Sequence, residues 1–166
     1  MASTSAVRKK DVASDDIATL IEFAQSGRPG PYSYVVLLGL REFDAATLLR
    51  KVEKGLEFKA FDRLRRNLYL TQAELLDVVR IPQRTLTRRR HDGRFTPEES
   101  DRLLRLSRLF ARTVELFDGD ADAARKWLSG AQPSLGGAIP LELARTELGA
   151  REVETAIGRI EHGVFS

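Results

Sequence analysis

The stretch Thr71-Gln72-Ala73-Glu74-Leu75-Leu76-Asp77-Val78-Val79-Arg80-Ile81-Pro82-Gln83-Arg84-Thr85-Leu86-Thr87-Arg88-Arg89-Arg90 decides how the chain is read. Thr71 at a helix N-cap with Glu74 three residues on is a capping box, in which hydroxyl and carboxylate each satisfy a free backbone N–H. Arg80-Ile81 is a tight joint, and Pro82, whose fixed φ suits a first turn, opens a second short helix. Two short helices across such a joint form a helix-turn-helix, the unit that sets its second helix into a major groove. Leu75, Val79, Ile81 and Leu86 are the expected internal core. Gln83, Arg84, Thr85, Arg88 and Arg89 are the expected outward face. These residue types read base edges: arginine bidentate to guanine, glutamine to adenine, threonine against the thymine methyl. Arg80, Arg90 and Arg94 flank them and suit phosphates, which supply most of the affinity. Six arginines stand against one aspartate over residues 80–94. The alternative is a basic helix that faces only water.

Outward from this unit the pattern stays helical. Downstream, Thr96-Pro97-Glu98-Glu99 is a second capping box, with proline at N1. It opens a long helix through residue 117 whose apolar stripe is Leu103, Leu106, Phe110, Val114 and Phe117. Leu103, Leu106, Phe110 and Phe117 exceed what a small module need bury, so part of that set is expected in a homodimer interface. Gly119-Asp120 restarts the chain into residues 121–128, and residues 129–139 form a loop with Pro133 and Gly136-Gly137. Pro140 starts a helix to about residue 148, Gly149 interrupts it, and residues 152–161 follow before Gly163. Upstream, Phe58, Phe61 and Leu64 mark a helix to Asn67, and Asp44 caps another over residues 45–54 with Gly55 as its stop. The apolar run over residues 33–40 fits strand or helix equally by period. Ser14 is read as the cap of a first helix carrying Ile17, Leu20, Ile21 and Ala24, with Asp15 and Asp16 complementing its dipole. Residues 1–13 are small, polar and basic, and are expected to form a disordered arm. The fold class is all-α, in three parts: an N-terminal arm and helices (1–54), a helix-turn-helix domain (55–113) and a small helical module (114–166).

Composition narrows the function. No cysteine is present, which removes disulfides, thiolate metal sites and thiol nucleophiles together. The longest apolar run, residues 34–38, falls far short of the ~20 residues a membrane helix needs. The first ten residues lack the apolar stretch of a secretory signal, so the expected location is the cytoplasm. Of the two histidines, His91 sits among arginines, and His162 follows Glu161 directly, which puts the two side chains on diverging bearings. Nothing else has triad or ligand spacing, so neither catalysis nor a cofactor is expected. The net charge of +3 is uneven: residues 80–113 hold 10 Lys+Arg against 4 Asp+Glu, and residues 114–166 hold 5 against 9. A basic part for nucleic acid and an acidic part for a protein partner would account for that division.

The carboxyl half carries a further set of ordered motifs. They are Gly93-Arg94-Phe95-Thr96-Pro97-Glu98-Glu99-Ser100-Asp101-Arg102-Leu103, Phe117-Asp118-Gly119-Asp120, Ala124-Arg125-Lys126-Trp127-Leu128, Leu135-Gly136-Gly137 and Pro140-Leu141-Glu142-Leu143. Then come Thr146-Glu147-Leu148-Gly149-Ala150-Arg151-Glu152-Val153-Glu154 and Ile157-Gly158-Arg159-Ile160-Glu161-His162-Gly163-Val164-Phe165-Ser166. Over residues 55–166 the chain resembles the Xre/MbcA/ParS antitoxin family, in which an Xre-like helix-turn-helix precedes a toxin-binding domain. The resemblance implies a type II antitoxin that dimerises, binds its own operator DNA and neutralises a RES-domain toxin that consumes NAD. It also implies that the end of the chain enters the toxin's NAD pocket, which here makes Arg159, Glu161, His162, Gly163, Val164, Phe165 and Ser166 the toxin-binding residues. Ile139 departs from the family's threonine before Pro140, removing an N-cap worth ~1 kcal/mol. Read from the residues alone, Gly163 stops the last helix and leaves Val164-Phe165-Ser166 as a short tail, either a plug for an apolar pocket or a segment folded back on the module. The other reading of the whole chain is a stand-alone transcriptional regulator with a C-terminal dimerisation module.

Overall fold

A computed structural model of the chain describes residues 3–163, with side chains from Asp15 onward. Among the described residues every regular element is helical: α1 (Ser3–Ser26), a 3-10 segment (Ser33–Leu38), α2 (Ala45–Lys54), α3 (Lys59–Leu68), α4 (Gln72–Val79), α5 (Gln83–Asp92), α6 (Pro97–Leu116), α7 (Ala121–Ser129), a 3-10 turn (Pro133–Leu135), α8 (Pro140–Leu143) and α9 (Glu147–Glu161). The sole extended pairing among them is an isolated antiparallel bridge between Glu57 and Arg94.

The axis of the molecule is α6. It packs against α1, α2, α3, α4, α7, α9 and the first 3-10 segment. A helix covered on so many sides needs apolar or satisfied residues around its circumference. Accordingly Leu104, Leu109, Ala111 and Thr113 are buried beside Leu103, Leu106, Phe110 and Val114. This withdraws Leu103, Leu106 and Phe110 from the expected dimer interface: each is at most 3% exposed within one chain, as is Val114. Phe117 is half-buried against the same core. Because α6 spans residues 97–116, it crosses the division expected at 113/114 and serves both halves. Arg125 on α7 ties them again, donating to the Asn67 carbonyl at 2.9 Å and lying 3.6 Å from the Tyr69 ring centroid.

The amino-terminal region departs from its sequence reading. From Ser3 the chain is helix and not an arm, so Ser14 lies within α1 and not at its start; residues 1 and 2 lie outside the described residues. Asp16 is not a solvated complement to the helix dipole. It is 2% exposed and accepts two hydrogen bonds from Arg63, at 2.8 and 2.6 Å, and one from Asn67 Nδ2 at 2.9 Å. The same Asn67 nitrogen donates to the Leu37 carbonyl at 3.0 Å. These bonds fasten α1 and the 3-10 segment to α3. In that segment Val35, Val36, Leu37 and Leu38 are all at most 1% exposed, a tight turn of helix enclosed by α1, α3 and α6.

The carboxyl end breaks at a different place from the one expected. The helix begun by Pro140 ends at Leu143, and Thr146 caps α9 by accepting the Gly149 N–H at 3.0 Å. Gly149 therefore lies inside α9 and interrupts nothing. It is glycine because a Cβ there would run into the Leu143 carbonyl of the preceding helix. Gly149→Ala should cost about 1–3 kcal/mol by overpacking, read as a lower urea midpoint. Gly158→Ala, on the same helix with nothing within 4 Å of the new Cβ, should raise it. Ile139 makes no side-chain cap for α8, and its own carbonyl instead accepts the Glu142 and Leu143 N–H groups at 3.0 and 3.1 Å. Trp127 packs on the core's edge and is half-buried.

Candidate functional site

The capping box of α4 forms as read: the Glu74 N–H donates to Thr71 Oγ1 at 3.2 Å and the Thr71 N–H to the Glu74 carboxylate at 2.6 Å. Leu75, Val79, Ile81 and Leu86 are at most 3% exposed and hold α4 against α5. The joint itself is Arg80, in the left-handed region at φ 54°. Arg102 of α6 clamps it, donating to the Val79 and Arg80 carbonyls at 2.9 and 3.1 Å. No local spacing announces that clamp, because its partners lie more than 20 residues away. Pro82 is the N-cap of α5 and not its first residue, and it gives no side-chain cap.

The residues proposed to face DNA divide into four groups. Arg84 and Arg88 are exposed and, with half-buried Thr85, line one surface hollow. Gln83 is exposed but accepts a hydrogen bond from Gln72 at 3.0 Å, which fixes its amide. Arg90 sets its guanidinium 5.1 Å from the Phe58 ring centroid, and Arg94 donates to the Gly55 carbonyl at 2.9 Å. Arg89 is the exception. Its side chain is 14% exposed and makes two hydrogen bonds to Glu99, at 2.7 and 3.0 Å, so it points into the molecule and not outward. The reason is angular: Arg89 sits ~100° round the helix from Arg88, toward α6.

Glu99 is shared between two structures. It closes the capping box of α6, accepting the Thr96 N–H at 2.9 Å, and it receives Arg89. Burial pushes its carboxyl up, but the Arg89 guanidinium and the Thr96 amide outweigh that and hold it below the usual carboxylate range.

At the other end, α9 stops where the sequence indicated. The Gly163 N–H donates to the Ile160 carbonyl at 3.1 Å, with Gly163 at φ 66°. Arg159 and His162 are exposed, while Glu161 accepts from Arg112 at 3.4 Å. Val164, Phe165 and Ser166 lie outside the described residues. Behind Glu161 runs a ladder of ion pairs: Arg105–Glu147 at 3.3 Å, Arg108–Glu154 at 2.9 Å and Arg112–Glu161 at 3.4 Å. Acids seven apart on α9 meet arginines three and four apart on α6, the spacing that keeps each set on one helix face. Part of the charge asymmetry is thus settled inside the molecule, and α9 packs on the chain's own α6. Among the described residues no three His, Cys, Asp or Glu side chains are grouped to hold a metal ion, and no helix is long and apolar enough to cross a membrane.

Two family models match this arrangement in order. The antitoxin Xre-like helix-turn-helix domain matches residues 47–108, and the antitoxin Xre/MbcA/ParS C-terminal toxin-binding domain matches residues 112–163. An antitoxin Xre of Yersinia enterocolitica serotype O:8 / biotype 1B is 43% identical over 130 residues, 78% of this chain and 88% of that protein. The chain belongs to the Xre/MbcA/ParS antitoxin family. An antitoxin Xre of Photorhabdus laumondii is 34% identical over 69% of this chain and 78% of its own length. One of Pseudomonas putida is 36% identical over 50% of this chain and 52% of its own. Antitoxins of this family are toxin-binding helix-turn-helix proteins and not enzymes, and the toxin-binding domain makes a toxin this chain's partner. Residues 1–46 precede both matched regions, yet Ile17, Leu20 and the 3-10 segment belong to the core.

Proposed function

We propose that this antitoxin neutralises a RES-domain, NAD-consuming toxin with residues 159–166 and represses its own operon by setting α5 into operator DNA. The observation that carries the toxin half is where α9 ends: the helix closes at Gly163, at the edge of the matched toxin-binding domain. Apolar Phe165, preceded by Val164 and followed by Ser166, is suited to the apolar part of a nucleotide pocket. The DNA half is supported by Arg84 and Arg88, exposed side by side on α5 with no carboxylate partner among the described residues. The functional division remains 1–54, 55–113 and 114–166, with α6 common to the last two, and the place of action is the cytoplasm.

The DNA test uses Arg88 and not Arg89. Arg88→Ala should lose about 1–3 kcal/mol of operator affinity and relax base preference. Arg84→Ala with Arg88→Ala should remove sequence preference altogether, measured by fluorescence polarisation on the duplex upstream of this gene. Equal affinity of the double variant and the parent chain would remove base reading from α5.

A single recognition helix offers few base contacts, so the operator complex is proposed to contain a homodimer on two half-sites about one helical turn apart. Light scattering of the DNA complex should give two chains per operator. One chain per operator would contradict it.

A further inference from the structure

We infer that the cleft bounded by α2 and the turn that follows it is a second DNA contact, a sequence-independent seat for backbone phosphates beside the groove that α5 enters. This rests on the DNA reading proposed above. The cleft measures about 510 Å³ and is lined by Arg41, Arg50, Lys51, Lys54, Lys59 and Arg94, with Glu42 and Glu57 as the acids. Both acids are already matched: Lys51 reaches Glu42 at 3.0 Å and Lys59 reaches Glu57 at 2.7 Å. Arg41, Arg50, Lys54 and Arg94 are left with no carboxylate partner among the described residues. Elsewhere the arginines that line the core find acids, as Arg63, Arg89 and Arg105 do. Four unmatched cations around one concavity concentrate positive potential there, which draws an anion.

The position of the cleft selects the anion. Its wall is sewn to the carboxyl end of α5: the Phe58 N–H donates to the Gly93 carbonyl at 2.9 Å, and the Phe95 N–H to the Leu56 carbonyl at 2.9 Å. Gly55 lies so close to the Phe95 carbonyl that a Cβ would overlap it. The cleft therefore moves with α5 as one body. The ten residues of α5 span about 15 Å, against a major groove about 12 Å wide. With Arg84 and Arg88 on base edges, the far end of α5 emerges at a phosphate strand and brings the cleft to it. A charged strand suits surface lysines and arginines with free donors, which contact phosphates without reading sequence.

The test is an Arg50→Ala/Lys54→Ala double variant, both positions being exposed and outside the core. Binding to the duplex upstream of this gene and to a scrambled duplex of equal length is titrated across a salt series, with thermal unfolding as the folding control. The variant should weaken on both duplexes by the same factor and flatten the slope of log affinity against log salt by about 2, one for each phosphate released. An unchanged slope, with Arg88→Ala still relaxing base preference, would overturn the cleft contact and leave the α5 reading in place. Loss of toxin binding with an unchanged slope would assign the cleft to a protein and overturn it as well. Absence of DNA binding by the parent chain would overturn both.

Discussion

Glu99→Ala should destabilise the chain by about 3–5 kcal/mol, the cost of breaking a buried ion pair from one side. Three losses coincide. Arg89 keeps its charge in a site where it is 14% exposed, with only Asp92, at 3.7 Å, near enough to answer it. The Thr96 N–H loses its acceptor, undoing half of the α6 capping box. The contact that fixes the roll of α5 against α6 disappears, so operator affinity should fall with stability. Glu99→Gln should be milder, since its amide oxygen can still accept from Thr96 and Arg89. The pH dependence has a definite sign. The Glu99 carboxyl titrates below its unfolded value, so its contribution is complete above that value, ~4.3, and is lost as the pH falls through the folded one. Parent and Glu99→Ala urea midpoints should therefore differ most at neutral pH and converge in acid. Equal midpoints at neutral pH would show that the Arg89–Glu99 pair contributes nothing to stability.

Elements with local causes were legible in the sequence. Both capping boxes, the Asp44 cap, the four core residues of the helix-turn-helix and the Gly163 stop each depend on residues within a few positions of one another. What escaped depends on partners far along the chain. Asp16 at the expected start of a helix has the appearance of a dipole complement, and only the approach of Arg63 and Asn67, about fifty residues away, makes it a buried anchor. Arg89 sits in a run of three arginines whose composition says DNA, while its angle round α5 says Glu99. Gly149 resembles a helix breaker by type, and its actual constraint is the Leu143 carbonyl across a turn. The α6 stripe looks like surplus apolar surface in the sequence because the depth of its covering, by helices from both ends of the chain, has no local signature. For the candidate site, the exposure of Arg84 and Arg88 followed from the pattern, whereas the Arg102 clamp on the joint and the basic cleft beside α2 did not.

Removing residues 163–166 should abolish protection against the toxin while leaving the fold and operator binding nearly intact. The last helix ends at Glu161, its α6 ladder ends at Arg112–Glu161, and no core side chain among the described residues lies beyond Ile157. What the truncation takes away is the segment proposed to enter the NAD pocket, together with the glycine at which the last helix closes. Phe165→Ala should give a partial loss, about 2 kcal/mol of apolar burial in the complex. Arg159→Ala, one turn earlier and exposed, should weaken the complex where its side chain meets a toxin carboxylate.

The most direct measurement is growth of cells expressing the cognate toxin together with the chain truncated after His162, with affinity for the purified toxin and circular dichroism measured in parallel. The account predicts no rescue and lost affinity, with helicity equal to that of the full chain. Full rescue by the truncated chain would mean that another surface holds the toxin, and would contradict neutralisation by the C-terminal segment.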